Sequence, residues 1–343
     1  MGFLSTSRRG DIDSLRSPYG QPTAFYLRFA SIPVARQARL GGVLRVSFLL
    51  FALLSPNAAW CDELEIERRE DRLVITDGTA PVAEYVFKDE KILRPYLANL
   101  HLPDGTPLTR THPPEPGKDA TDHADMHPGI WFGLGDVSGH DFWRNKGRIV
   151  HERFVLEPAA AGDRISVTSV ASMQAESGEK IAKVLSALLV SRLPEGWRLD
   201  WRLRFTPRID GFAFGDQEEM GFGVRIATPL TEKNGGVITN SGHLASAAAT
   251  WGQRAAWCDY SKVIDGRRVG VLLVPDPANP HRSWWHNRDY GLMVANPFGR
   301  QAMKQGEASR IEVKKGESYS FNHSVYLYAI DREGKPAWER YLR

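Results

Sequence analysis

Nine residues, Trp197 to Phe205, constrain this chain more than any others. Trp197, Leu199, Trp201, Leu203 and Phe205 alternate with Arg198, Asp200, Arg202 and Arg204. A period of two puts five large apolar groups on one face and four charges on the other, which is a strand in a sheet with one buried face. Weaker alternation recurs at Leu64 to Ile66, Leu73 to Ile75, Arg164 to Val170, Val184 to Arg192, Val269 to Val274, Ile311 to Val313 and Ser320 to Ala329. Turn signals such as Asp77-Gly78, Pro194-Glu195-Gly196, Asp265-Gly266 and Lys315-Gly316 separate these runs. Only the tail, Pro336 to Leu342, reads as a helix. The pattern predicts an all-β fold, a large antiparallel two-sheet β-sandwich with a short C-terminal helix. No fixed-period repeat supports a propeller instead.

The N-terminal segment has a different character. Residues 1–61 hold seven arginines, two aspartates and no lysine, and the apolar run Val43 to Leu54 (VLRVSFLLFALL) is followed by Ser55, Pro56, Asn57, Ala58 and Ala59. Basic region, short apolar core and small-residue zone are the order of a secretory leader. The run is too short to span a bilayer, which takes roughly 20 residues. We therefore expect a leader over 1–61, a single β-sandwich domain over 62–343, and an exported protein, periplasmic or extracellular. Loss of the leader turns a formal net charge of +3 into a slightly acidic domain, and no clustered basic face points to nucleic acid. It also removes Cys61 and leaves Cys258 alone, so a disulfide framework is not expected. Cys258, between Trp257 and Asp259, reads as a small core residue.

Chemistry concentrates in Thr121 to Trp143 (TDHADMHPGIWFGLGDVSGHDFW). This stretch holds His123, His127 and His140, the acids Asp122, Asp125, Asp136 and Asp141, and the aromatics Trp131, Phe132, Phe142 and Trp143 among four glycines. Glycines allow tight turns, so polar side chains can converge beside aromatic plates, as a sugar site requires. Two further clusters could face the same concavity. One is Asp216, Glu218 and Glu219 ahead of Arg225; the other is Asp259-Tyr260 with His281, Trp284, Trp285, His286, Arg288 and Asp289. The four-residue spacing of His123 and His127 suits two ligands on a helical face, so a divalent metal is conceivable there. Pro128 opposes that helical geometry, and no cofactor is predicted. No Gly-x-Ser-x-Gly elbow, phosphate loop or dinucleotide fingerprint is present.

Several of these motifs resemble a known family. Arg94-Pro95-Tyr96, Asp122-His123, His127-Pro128-Gly129-Ile130-Trp131-Phe132, Gly135-Asp136-Val137, Asp141-Phe142-Trp143 and Arg288-Asp289-Tyr290-Gly291 look like the PmoA-like family, a bacterial domain labelled after a methane oxygenase subunit. Where that family carries two adjacent histidines before a glycine, this chain has Met126-His127-Pro128-Gly129. The label does not give the activity. Such an oxygenase subunit is a helical membrane protein, whereas the β pattern and the lack of a run of about 18 apolar residues exclude a methane monooxygenase here.

The functional expectation is a carbohydrate-active protein. As an enzyme, whether hydrolase, lyase or epimerase, it would use His123, His127, Glu219 and Asp259 as acid/base groups. Asp122, Trp131, Asp136, Asp141, Trp143, Arg225, Trp285, Arg288 and Asp289 would bind a small-molecule or oligosaccharide substrate. A sandwich of the mutarotase type, which sets histidine and carboxylate pairs across an open cleft, is one form the fold could take, although a fold does not dictate an activity. The alternative is a non-catalytic glycan-binding or scaffold module of the envelope that uses the same cleft.

Overall fold

The computed structural model describes residues 63–342; the leader expected over 1–61 lies outside them. The strands are, in chain order, β1 (Leu64–Arg68), β2 (Arg72–Asp77), β3 (Ala80–Val86), β4 (Tyr96–Ala98), β5 (Ile130–Leu134), β6 (Arg148–Ala161), β7 (Arg164–Gln174), β8 (Lys180–Leu193), β9 (Gly196–Pro207), β10 (Gly211–Phe214), β11 (Met220–Arg225), β12 (Val237–Asn240), β13 (Cys258–Ile264), β14 (Arg267–Pro275), β15 (Trp284–Arg288), β16 (Leu292–Asn296), β17 (Ile311–Lys314) and β18 (Tyr319–Asp331). Among the described residues the α-helices are two short ones, α1 (Ala247–Thr250) and α2 (Ala337–Tyr341), the second inside the tail expected to be helical.

Sixteen of these strands form two eight-stranded sheets. Sheet one runs β1-β2-β3-β4-β5-β11-β16-β15 and sheet two runs β12-β13-β14-β18-β9-β8-β7-β6; β10 and β17 pair separately. The strand pairings are antiparallel throughout both large sheets. Each apolar residue of the β9 alternation, from Trp197 to Phe205, is at most 2% exposed, while the charged positions between them stay half-buried.

The apolar faces meet through their rings. Trp201 of β9 contacts Phe132 of β5 and Phe222 of β11 edge to face, both at 5.7 Å, and Phe205 contacts Phe132 at 6.0 Å. These geometries are the favoured ones for aromatic quadrupoles. Burying each such side chain stabilises by roughly 1.5–3 kcal/mol. The result is the two-sheet sandwich that the alternation implied.

Thr121 to Trp143, singled out for its glycine turns, also has a fully buried strand through it, because β5 pairs with β4 on one side and β11 on the other. Glycine there serves close packing as well as turning. β11, with all six residues buried, also lacks the alternation that marks β9. The inward side of both strands fills the sandwich; their outward side carries the candidate site.

Candidate functional site on the outer face of sheet one

Alternation along β5 sends Ile130, Phe132 and Leu134 into the sandwich core and Trp131 to the outer face, where it joins Trp143, Tyr96, Leu292 and Val294 in a second apolar cluster. The indoles can lie on the sheet because glycines sit beneath them. A Cβ on Gly223, the cross-strand partner of Trp131, would come within 2.6 Å of the Trp131 ring, and one on Gly133 would meet Trp143 at 2.6 Å. Rings then pile outward from this floor. His127 stacks on Trp131 (5.1 Å, 13°), His123 on His127 (5.0 Å, 26°), and Tyr290 on His123 (6.4 Å, 19°).

Two buried arginines hold the segment that carries the histidines. Arg110 donates to the carbonyls of Ala120 (2.8 Å), Asp122 (2.7 Å) and His127 (3.0 Å). Arg94 donates to the carbonyls of Met126 (2.6 Å) and Trp143 (2.9 Å) and to Asn145 Oδ1 (2.9 Å). Burial lowers both guanidiniums to about 10, still charged at neutral pH. Within the segment, the amides of Met126 and His127 donate to the His123 carbonyl, and His123 takes a left-handed φ of 51°. One turn of chain thus sets the two imidazoles face to face.

Charge is organised around Asp122. Its Oδ1 accepts from Arg225 Nη2 (2.9 Å) and its Oδ2 lies 3.0 Å from His123 Nδ1. Burial raises this carboxyl, but the His123 and Arg225 contacts hold it below its ordinary value overall. An ionised Asp122 can only accept, so it fixes a proton on His123 Nδ1 and leaves Nε2 to take or give one. Side-chain exposures of 39% for Asp122 and 43% for His123 keep this pair within reach of solutes. His127 is its opposite: 4% exposed, with an unpartnered Nδ1. Burial and the positive charges around it, Arg225 first, hold its imidazole well below the ordinary range and therefore neutral.

A second histidine–carboxylate pair lies further along the same face. Glu218 accepts from Trp251 Nε1 (2.9 Å) and Arg288, and His286 Nε2 lies 3.5 Å from the same oxygen. Burial raises the Glu218 carboxyl, while His286, Trp251 and Arg288 bring it below its ordinary value; burial lowers His286 to about 4. Tyr290 stands between the pairs. Burial raises its phenol, and Arg225, Arg288, Asp122 and Glu218 all act on it electrostatically.

The structure thus brings His123, His127, Asp122, Trp131, Trp143, Arg225 and Arg288 to one face. Trp131 and Trp143 are fully buried beneath the stack, so they support imidazoles and offer no open plate. Glu219 is engaged in an ion pair with Arg144. Asp141 caps its own turn, accepting the amides of Trp143 and Arg144, and Asp136 does the same for Gly139. Asp289 is half exposed, 3.8 Å from Lys233.

Two expected site residues are corrected outright. Asp259 stands on β13 in sheet two, bonded by Tyr328, because the sandwich separates β13 from β5. Trp285 points into the inter-sheet core, since the alternation of β15 sends Trp284, His286 and Arg288 the other way. Cys258 is fully buried and its thiol is pushed up, in keeping with a core role. Among the described residues no group of three or more His, Cys, Asp or Glu side chains could hold a metal ion, and His123 and His127 present ring faces to each other. Arg94, Arg110 and Tyr290 were not singled out as site residues. Arginines that bind carbonyl oxygens leave no sequence signal, since any residue supplies the acceptor.

Residues 72–336 match the model of a family of unknown function, DUF6807. That match overturns the resemblance to a PmoA-like family, which nothing else supports. No curated protein sequence is significantly similar to this chain. Among solved structures it is similar to a TPR-domain containing protein from Parabacteroides distasonis (12% identity, TM-score 0.40), covering 78% of this chain and 49% of that one. It thus spans about half of that protein's length. It is also similar to a galactose mutarotase-like protein from Lactobacillus casei (10% identity, TM-score 0.36, 77% of this chain and 100% of that one). A putative aldose 1-epimerase from Escherichia coli K12 gives 10% identity and a TM-score of 0.36, covering 77% and 99%.

Proposed function

We propose that this chain, which belongs to the family of unknown function DUF6807, is an exported enzyme that acts on a sugar or glycoside by acid/base chemistry centred on His123 and Asp122. The observation that carries this reading is the half-exposed Asp122–His123 pair, 3.0 Å apart. It has the orienting carboxylate and free imidazole nitrogen that proton transfer needs. His123 Nε2 would take a proton from a substrate hydroxyl or water, and Asp122 would stabilise the imidazolium formed. His127, kept neutral beneath it, would support the ring without competing for the proton.

The Glu218–His286 pair beyond Tyr290, a carboxylate beside a neutral imidazole, would add a second acceptor for substrate hydroxyls on the same face. Tyr290 and Trp251, both partly exposed on this face, offer ring surfaces against which a pyranose could lie. Export belongs to the proposal through the leader expected over 1–61. None of the helices among the described residues is long and apolar enough to cross a membrane.

The test is turnover of a broad panel of free sugars and glycosides by the purified protein. His123→Ala should lower kcat by about 100-fold or more, the usual contribution of a positioned acid/base group. A His123→Ala protein as active as the parent would overturn the assignment.

A further inference from the structure

Arg225 differs from the two other buried arginines of this face. Arg94 and Arg110 spend both terminal nitrogens on carbonyl oxygens, and so act as anchors for the 120–127 segment. Arg225, 1% exposed, spends only Nη2, on Asp122; its Nη1 is buried with no acceptor, as is its Nε, the one donor that Arg94 and Arg110 also leave unpaired. Unpaired donors on a buried cation are costly. Something outside the chain's own hydrogen bonds is therefore suited to meet them.

No carboxylate of the chain reaches these two nitrogens, and those nearby already have partners. Asp122 is already shared between Arg225 and His123, with Arg110 at 3.8 Å. Asp119 accepts from Thr228 Oγ1 and the Glu115 amide. Glu218 accepts from Trp251 and Arg288. The cover over Arg225 is the Tyr290 ring, 4.4 Å from its guanidinium carbon, with His123 stacked on that ring. Tyr290 sits at the turn between β15 and β16, where Gly291 follows with a φ of 93°. A ring at a turn can swing aside, whereas the strand beneath cannot.

We infer that Arg225 binds a monoanionic oxyanion substituent of the substrate, a carboxylate or sulfate ester on a sugar, with Tyr290 as the displaceable cover. This rests on the carbohydrate reading above and narrows it to acidic sugars. A single negative charge fits because Asp122 already stands beside the guanidinium and would repel a dianion. Guanidinium donors suit such groups through paired N–H bonds in one plane. The same placement would bring the sugar ring against Tyr290 and His123, within reach of the free imidazole nitrogen.

Calorimetric titration of the full chain with glucose, glucuronate, glucose 6-sulfate and inorganic sulfate tests this. At least one acidic sugar should bind about tenfold or more tightly than glucose, and Arg225→Gln should remove that advantage. Arg225→Gln could also loosen Asp122, so the comparison among ligands on the parent protein decides by itself. Glucose binding as tightly as both acidic sugars overturns the inference and leaves the carbohydrate reading standing. Sulfate binding as tightly as the acidic sugars reduces Arg225 to an adventitious anion site and also overturns it. Binding of no sugar at all removes the carbohydrate reading with it.

Discussion

The outer faces of the two sheets both bury ionisable groups among aromatic rings, yet they do opposite things with them. On sheet two, Tyr328 of β18 donates to both oxygens of Asp259 on β13 (2.7 and 2.8 Å), and both residues are buried. Above them α2 closes the face, with Trp338 stacked on Trp257 (5.3 Å, 14°) and Tyr341 on Tyr326 (4.8 Å, 8°). Burial raises the Asp259 carboxyl to about 7. On sheet one the pair of interest, Asp122 and His123, reaches solvent, and a buried cation beside it has donors to spare. A strongly shifted carboxyl, often taken as the mark of a functional site, belongs here to the sealed face. What distinguishes the candidate site is unfinished hydrogen bonding next to exposure.

That contrast can be broken in three ways. The largest effect is expected from Arg110→Ala, which would strand three carbonyl groups and leave the charge of Asp122 less compensated. A loss of about 3–5 kcal/mol of unfolding free energy should follow, in the range found when one partner of a buried polar network is deleted. Urea denaturation measures it; a loss below about 1 kcal/mol would mean that the histidine segment holds itself.

The sealed face should announce itself through pH. Asp259 has a folded value near 7 against 3.8 for the free side chain, so between those limits the unfolded chain gives up a proton that the folded chain keeps. Stability from this group is therefore full below about pH 4 and falls as pH rises to about 7, by about 4 kcal/mol in total. Asp259→Asn should flatten that slope in melting experiments run between pH 4 and 8. An unchanged slope would show that Asp259 is ionised in the fold.

The smallest effect concerns the cover. Tyr290→Leu removes a cation–π contact worth about 0.5–2 kcal/mol, a slight loss of stability. It should at the same time speed modification of Arg225 by phenylglyoxal, read by peptide mass mapping. Equal rates with and without the ring would mean that Tyr290 is not what shields Arg225.

How much of this could be read beforehand depends on where each residue's partners lie. β9 was legible because its two faces meet different surroundings, and period two records that difference directly. β11 has apolar packing on one face and the ring stack on the other, so Met220, Phe222 and Val224 alternate with glycines and one arginine and not with the run of charges that marks an exposed face. The histidine-rich stretch was legible as a place where polar and aromatic groups gather. Its internal order was not, since the tryptophans expected to bind a ligand lie under the histidines, and Asp259 is near none of them. Such assignments depend on which strands become neighbours, and β5 pairs with β11 across more than eighty residues of intervening chain.

The glycine floor beneath the indoles has a consequence for descent. Gly223 and Trp131 are register partners on adjacent strands, and a single methyl group on the one would occupy the space of the other. Gly133 and Trp143 are bound by the same exclusion. The glycine cannot enlarge while the indole stays, so lineages that enlarge the small residue should have shrunk the large one. Across related chains, a residue larger than glycine at the position equivalent to 223 should not accompany tryptophan at the position equivalent to 131, and a chain that has lost that indole should have lost the histidine stack above it.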